Sequence, residues 1–386
     1  VDHQISCLWK ESGAARGYSA AVSLHGHTNH SKESLSFILE MIEHRPFLNF
    51  FLKVENWRAR RTGPCGLDLA NAYWTPPLPA VSALELELSQ LEQDLGLPGM
   101  VSLTDHDNIE APLLLSIIQS ARKVPISTEW TVPYMDAEFH IGVHNLPPDR
   151  AESIVADLNA FTANPDPGRL RELLTMLDAM RDVLVVLNHP YWDLREIGRP
   201  AQDRALRHLI AAEGARIHAM ELSGIRSWQE NLDVRRCAEA SNILLIGGGD
   251  RHGLEPNAVV NLTHARTFAE FVHEVRRERC SHVLFMPQYQ EPLVLRKIQC
   301  GLDAIRENPD HALGWRHWDE RVFHPDSDGR IVQASALWKH PPLYLSVIFR
   351  LLRLLENPRV HRALSYALTR RSANTFDTAQ EAEAAR

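Results

Sequence analysis

Seven short apolar runs, each closing in polar residues, recur along the chain at 20–27, 99–104, 123–129, 138–144, 183–189, 217–223 and 243–249. Their length and their bounded ends predict buried strands. Most are separated by stretches with apolar residues every three to four positions, at 82–95, 109–122, 169–181, 203–212 and 227–240. That period predicts amphipathic helices. Repeated strand–helix alternation predicts an α/β fold with a mainly parallel sheet. Seven such strands suit a closed barrel better than an open sheet, and barrels of this kind place their chemistry at the C-terminal ends of the strands.

Two regions exceed a minimal barrel. Residues 36–61 read as helical and aromatic-rich, with Phe37, Phe47, Phe50, Phe51 and Trp57. Residues 62–79 read as a Gly/Pro-rich loop that contains Tyr73-Trp74-Thr75-Pro76-Pro77. This insertion leaves the end of the first strand, so it serves either as packed decoration or as a lid, with Tyr73 and Trp74 packing the loop or stacking on a base. Beyond about residue 292 the pattern predicts a helix at 294–307, a polar stretch at 311–332, helices at 341–356 and 358–371, and a disordered end from 372. The apolar run 343–349 is too short to span a bilayer. It is expected to pack on the barrel or to form a homo-oligomer or membrane-surface contact. The domain reading is a barrel over 1–290 with an insertion at about 36–80, followed by a helical extension over 291–386.

Composition narrows the function. The chain has 386 residues, 44% hydrophobic and 23% charged, enough for one large globular domain with an appendage or for two domains. The formal net charge of −8 argues against a long nucleic acid as partner and leaves a small ligand in a local positive pocket. Five scattered cysteines without C-x-x-C spacing point to a reducing, cytoplasmic setting and no cysteine metal site. No signal segment and no 18-residue apolar run is visible, so no membrane span is expected.

The chemistry-bearing residues collect at the ends of the predicted strands. His25 and His27 follow the first, where i and i+2 spacing on a strand turns two imidazoles to one side. A single His-x-His is weak evidence, because roughly one is expected by chance at this histidine content. The second strand ends in Thr104-Asp105-His106, the third in Glu129, the fourth contains His140, the fifth ends in His189, and the seventh ends in Asp250-Arg251-His252. Six of the seven strands thus deliver a histidine or a carboxylate. One cation takes three or four protein ligands, so this set implies two or three divalent ions sharing ligands, with manganese, iron or zinc suited to mixed imidazole and carboxylate donors. Asp105 could orient His106, which is read as a ligand or as a proton donor. Arg226, just after the sixth strand, could clamp a phosphate.

As an ordered set these residues resemble the PHP family, named for polymerase and histidinol phosphatase. The opening His-x-His-Thr corresponds to His25 and His27, Thr-Asp-His to Asp105 and His106, the bridging glutamate to Glu129, and the following histidine to His140 in preference to His144. The histidine before proline corresponds to His189, and the closing Asp-x-His to Asp250 and His252. The resemblance covers residues 19–253. It implies a distorted (β/α)7 barrel with a two- or three-metal site that hydrolyses phosphoesters. Family members carry another ligand five or six residues after the second histidine. Lys32 and Glu33 stand there, so Glu33 is the choice, with His30 second.

The expected activity is hydrolysis of a small phosphomonoester or nucleotide by a metal-bridging hydroxide. The alternatives are an amidohydrolase-type hydrolase, which usually uses a bridging lysine where this chain has Glu129, and a non-enzymatic metal-binding scaffold.

Overall fold

The computed structural model describes residues 2–35, 46–118, 121, 123–338 and 360. The chain divides into two compact units, Val1–Ser31 with Leu78–Leu293, and Lys32–Pro77 with Val294–Arg386.

Among the described residues the first unit contains ten strands: β1 Asp2–Cys7, β2 Ala20–Leu24, β3 Gly99–Ser102, β4 Ile126–Tyr134, β5 Ala137–Leu146, β6 Leu184–Asn188, β7 Ala219–Ser223, β8 Leu244–Gly248, β9 Val259–Thr263 and β10 Cys280–Phe285. They form two five-stranded sheets, in the orders β1–β10–β9–β2–β3 and β8–β7–β6–β5–β4. All seven expected strands are present. The expectation of a mainly parallel sheet is corrected, because four of the eight ladders are antiparallel. One reason is local. Met135, with φ 54°, and Asp136 form a two-residue turn that joins β4 and β5 as a hairpin, where a helix would be needed for a parallel pair. The other is β9, which runs antiparallel to both β2 and β10.

The regular ladders stop at two sheets and do not close into a barrel. Two isolated parallel bridges join strand ends, Gly26 with Arg251 and His106 with Glu129. Side-chain alternation along β2 explains how the core is layered. Val22 and Leu24 face Leu184, Val186, Ala219, Leu244 and Ile246 from the other sheet. Ala21 faces the opposite way, onto a cluster with Leu91, Val260, Leu262 and Leu284.

The helices of this unit are α1 Ala80–Leu95, α2 Glu110–Ser116, α3 Ala151–Ala163, α4 Pro167–Ala179, α5 Arg199–Glu213, α6 Trp228–Ser241 and α7 Phe268–His273, which runs on into a π turn at Glu274–Glu278. Helix α4 starts where its sequence says it should. Asp166 accepts a hydrogen bond from the Arg169 N–H, and Pro167 occupies the first turn, where a missing N–H costs nothing. The helix expected over 109–122 is described only as far as α2, and positions 119, 120 and 122 lie outside the described residues.

In the second unit a four-stranded sheet is built from Glu33–Ser34, Tyr73–Trp74, Val322–Pro325 and Ile331–Gln333. Helix Pro46–Thr62 and most of helix Leu293–Ile305 also belong to it. The C-terminal region is therefore not purely helical. The polar stretch 311–332 holds strand Val322–Pro325, which pairs with Tyr73–Trp74. The buried Arg321 beside it donates to the carbonyls of Ala304, Arg306, Trp315 and Arg316. The expected helices at 341–356 and 358–371, the apolar run 343–349, the end from 372, and residues 36–45 of the insertion lie outside the described residues, Val360 apart. Among the described residues no helix is long and apolar enough to cross a membrane.

Candidate metal centre

The strand carrying the first pair of histidines ends at Leu24, before either of them. His25 has φ 62°, in the left-handed region, so its side chain is turned by a backbone kink. Strand alternation is therefore not what brings His25 and His27 together. The backbone around them is held by hydrogen bonds to the end of β8. Gly249 N donates to Leu24 O, Arg251 N to His25 O, and His27 N to Arg251 O. Asp250 and His189 share the unusual backbone sign, at φ 53° and 25°. Left-handed non-glycine residues cost about 1 kcal/mol or more each and gather where a site demands them.

Asp105 fixes the next turn. Its buried carboxylate accepts from Thr28 N at 2.6 Å and from Thr28 Oγ1 at 2.7 Å. It thus anchors the residue after His27. Ser31 Oγ lies 3.2 Å from His27 Nδ1 and accepts from the His106 N–H. The two loops that carry His27 and His106 are tied by this one hydroxyl.

Five imidazoles converge on Glu129. Its Oε2 lies 3.1 Å from His25 Nε2, 3.3 Å from His27 Nε2 and 3.4 Å from His106 Nδ1. Its Oε1 lies 3.3 Å from His140 Nδ1 and 3.2 Å from His189 Nε2. Asp250 is the second focus. Its Oδ1 lies 3.6 Å from His25 Nε2, 3.4 Å from His27 Nε2 and 3.4 Å from His252 Nδ1. His27 stacks between His106 and His252, with ring centroids 4.8 and 4.2 Å away. Eight of the nine expected ligands belong to the first unit and are gathered here. The ninth, Glu33, lies in the second unit on the two-residue strand Glu33–Ser34. His30, the second choice for that position, sits 2.9 Å from Glu110.

The electrostatics follow from this crowding. Burial alone would raise the carboxyl pKa of Glu129, but His25, His140 and His106 hold it well below the usual carboxylate range. Burial alone would lower that of His25, but Glu129, Glu221 and Asp250 raise it well above the ordinary imidazole value. Asp250 is likewise held low, against its burial, by His25 and His252. His189 is lowered, chiefly by burial.

The donor set fits divalent cations. Two ligands bound at about 2.1 Å to one ion stand roughly 3.0–3.4 Å apart, close to the spacings above. Among the described residues, the buried His25 Nε2, Glu129 Oε2, His140 Nδ1 and Asp250 Oδ2 have no hydrogen-bond partner, a costly state for buried polar atoms that a cation would relieve. Three trios, His25–His27–Glu129, His25–His189–Asp250 and His106–Glu129–His140, have donor atoms within 4.8 Å of one another.

Two supporting residues escaped the sequence reading. Glu221, on β7, lies 2.5 Å from His25 Nδ1. A carboxylate there accepts a hydrogen bond from Nδ1–H and leaves Nε2 aimed at the centre. The signal for it in the sequence is a lone acid in the apolar run Ala219-Met220-Glu221-Leu222. Asn188, the last residue of β6, donates from Nδ2 to Glu129 Oε1 at 2.9 Å.

Arg226 is buried beside the cluster. Its Nη2 is 3.6 Å from Asp250 Oδ2, and its guanidinium lies 3.5 Å from the centroid of the Trp192 ring. Trp192 in turn packs edge-on against His189, at 5.0 Å. Arg251 points away, donating to Glu87 at 2.8 Å and to His27 O at 2.9 Å. His144 bonds Ser102 through Nδ1 at 2.8 Å, and burial pushes its pKa down to about 3. Tyr73 and Trp74 form a strand rather than a free loop, and the Tyr73 ring stacks on Phe323 at 5.0 Å.

No protein-family model matches the chain, and no curated protein matches it at a significant level. Among solved structures it is similar to an amidohydrolase from Chromobacterium violaceum with bound sulfate and no metal, at 16% identity and TM-score 0.31, covering 60% of this chain and 88% of that one. It is also similar to a protein of Bifidobacterium adolescentis provisionally assigned as a metal-dependent phosphoesterase, at 15% identity and TM-score 0.35, covering 66% and 94%. A third is PsfC from Pseudomonas syringae, at 16% identity and TM-score 0.38, covering 56% and 86%.

Proposed function

We propose that this protein is a metal-dependent hydrolase of phosphoesters, of the PHP type, acting on a small phosphomonoester or nucleotide. The observation that carries the reading is the convergence of five imidazoles on the single carboxylate of Glu129. A carboxylate so placed suits a bridge between cations. The two parallel bridges at Gly26–Arg251 and His106–Glu129 support treating the two sheets as one distorted seven-stranded barrel, with its mouth at these strand ends.

In this reading His25, His27, His106, Glu129, His140, His189, Asp250 and His252 would hold two or three divalent ions, manganese, iron or zinc. Such ions lower the pKa of water and offset charge on phosphoryl oxygens. The chain's own residues do the rest. Glu221 fixes the tautomer of His25. Asn188 keeps Glu129 oriented by holding one of its oxygens. Asp105 anchors the turn after His27 through Thr28. Arg226, held flat against Trp192, supplies the fixed positive charge that a phosphate needs. Burial of the set excludes bulk water and strengthens each of these interactions.

The test is phosphate release, with manganese added, from phosphomonoesters, nucleoside bisphosphates and short 5′-phosphorylated oligonucleotides. Turnover of one class at a kcat/KM of about 10⁴ M⁻¹s⁻¹, abolished in His25→Ala and Asp250→Ala, is expected. No release by protein that holds its metals, or turnover unaffected by both substitutions, would overturn the reading.

A further inference from the structure

At the other end of the same strands lies a second concave feature, independent of the proposed activity. A cavity of about 420 Å³ opens beside the segments that lead into β7 and β8. It is lined by Asp178, His218, Asn242, Arg276, Arg277 and Arg279 among others. The proposed metal centre follows the C-terminal ends of these strands. The cavity precedes their N-terminal ends, roughly 17 Å away for a five-residue strand.

Three arginines within four positions face one cavity because the backbone there is irregular. In a regular α-helix residues 276, 277 and 279 would spread over about 160°. Here Glu274–Glu278 form a π turn, and Arg279 closes it with φ 57°. Asn242, across the cavity, is also left-handed, at φ 53°. Single π turns are rare and gather at functional sites.

The three side chains differ in what they already do. Arg276 is consumed by structure. It donates to Met180 O, Val183 O, Asp178 O and Asp178 Oδ1, so it stitches the end of α4 to the start of β6. Arg279 spends one nitrogen, on Asn242 O at 2.6 Å. Arg277 is exposed and makes no hydrogen bond or ion pair with another described residue. The single carboxylate of the lining, Asp178, is engaged by Arg276 and by His218 at 3.0 Å. His218 accepts from Val185 N, and burial pushes its pKa down to about 4, so at neutral pH it adds no charge. The cavity therefore carries a net positive charge on a chain whose formal net charge is −8, with the guanidinium forks of Arg277 and Arg279 left to bind.

We propose that this cavity is a binding site for a compact polyanion of phosphate type, held by Arg277 and Arg279. Planar guanidinium groups pair with phosphate oxygens two at a time, and the volume matches a small phosphorylated molecule.

The experiment is calorimetric titration of the full chain with inorganic pyrophosphate, without added divalent cation. One equivalent is expected to bind wild-type protein. Affinity should fall at least tenfold in Arg277→Ala/Arg279→Ala and stay within twofold in Asp250→Ala. Arg277→Glu is the second variant. Its exposed side chain has no partner among the described residues, so an unchanged Tm with weakened binding is expected. Absence of binding at millimolar pyrophosphate would overturn the proposal. So would binding that survives Arg277→Glu, or an equal loss in Asp250→Ala, which would move the anion to the metal centre.

Discussion

Glu221 Oε2 lies 2.5 Å from His25 Nδ1, with both side chains fully buried. The pair joins β7 to the end of β2, two strands from different sheets, and fixes which nitrogen of His25 faces Glu129 and Asp250. Exchanging the carboxylate for an amide of the same shape keeps the packing and weakens the hold on that tautomer. Glu221→Gln is therefore expected to lower metal affinity by about 10- to 100-fold, with a fold that still melts cooperatively. Metal titration of the apo-protein checks this. Unchanged affinity would reduce Glu221 to a filler of core space.

Metal removal has a stability signature as well as a catalytic one. The buried donors His25 Nε2, Glu129 Oε2, His140 Nδ1 and Asp250 Oδ2 have no hydrogen-bond partner among the described residues. Stripping with a chelator is expected to lower Tm by several degrees and to abolish turnover, because ligand binding to the native state alone adds stability. Manganese, iron or zinc should restore both better than calcium. Differential scanning calorimetry of stripped and reloaded protein reads the first effect.

Gly249 tests the seam between β8 and β2. A Cβ at this position would fall 1.6 Å from Asn257 Oδ1. Asn257 cannot yield cheaply, since its Nδ2 donates to Ser23 Oγ at 2.8 Å and to Leu24 O at 2.9 Å. Gly249→Ala is expected to cost about 3 kcal/mol, read from the urea midpoint. A loss below about 0.5 kcal/mol would mean the seam can open without penalty.

His218 gives a pH dependence whose sign can be worked out. In the native state burial lowers its pKa from 6.5 to about 4. The neutral ring accepts from Val185 N and donates to Asp178. The unfolded chain takes up a proton near pH 6.5, and the native one resists until about pH 4. This residue's contribution is therefore complete above pH 6.5 and is lost as pH falls towards 4, by up to about 3 kcal/mol. His218→Asn keeps an acceptor for Val185 N. Its stability should be flatter than that of wild-type protein across this window. Parallel urea-melt curves would show that His218 titrates normally.

The centre was legible because its donors are of unusual type for strand ends and come in order along the chain. His140 could be preferred over His144, and their partners differ accordingly, Glu129 for one and Ser102 for the other. Glu221 was not legible, because one acid in an apolar strand has no periodicity to mark it. The β4–β5 hairpin was missed for a related reason. Met135 and Asp136 carry no glycine to announce the turn, and only long-range pairing with β6 reveals the direction of β5. The kinks at His25, His189 and Asp250 fall on residue types that enter the left-handed region more readily than most, but that preference is too weak to mark which histidine or aspartate is kinked.

The sheet of the second unit has a consequence for how the chain is made. Strand Tyr73–Trp74 finds its partner in Val322–Pro325, about 250 residues later. At about 5–20 residues per second the ribosome takes roughly 12–50 seconds to deliver that partner. Throughout this interval the early strand lacks one neighbour of its sheet, and before the interval ends all ten described strands of the first unit have been synthesised, because β10 ends at Phe285. The first unit, with the proposed metal centre, therefore has all its described strands in hand before the four-stranded sheet of the second unit can be completed.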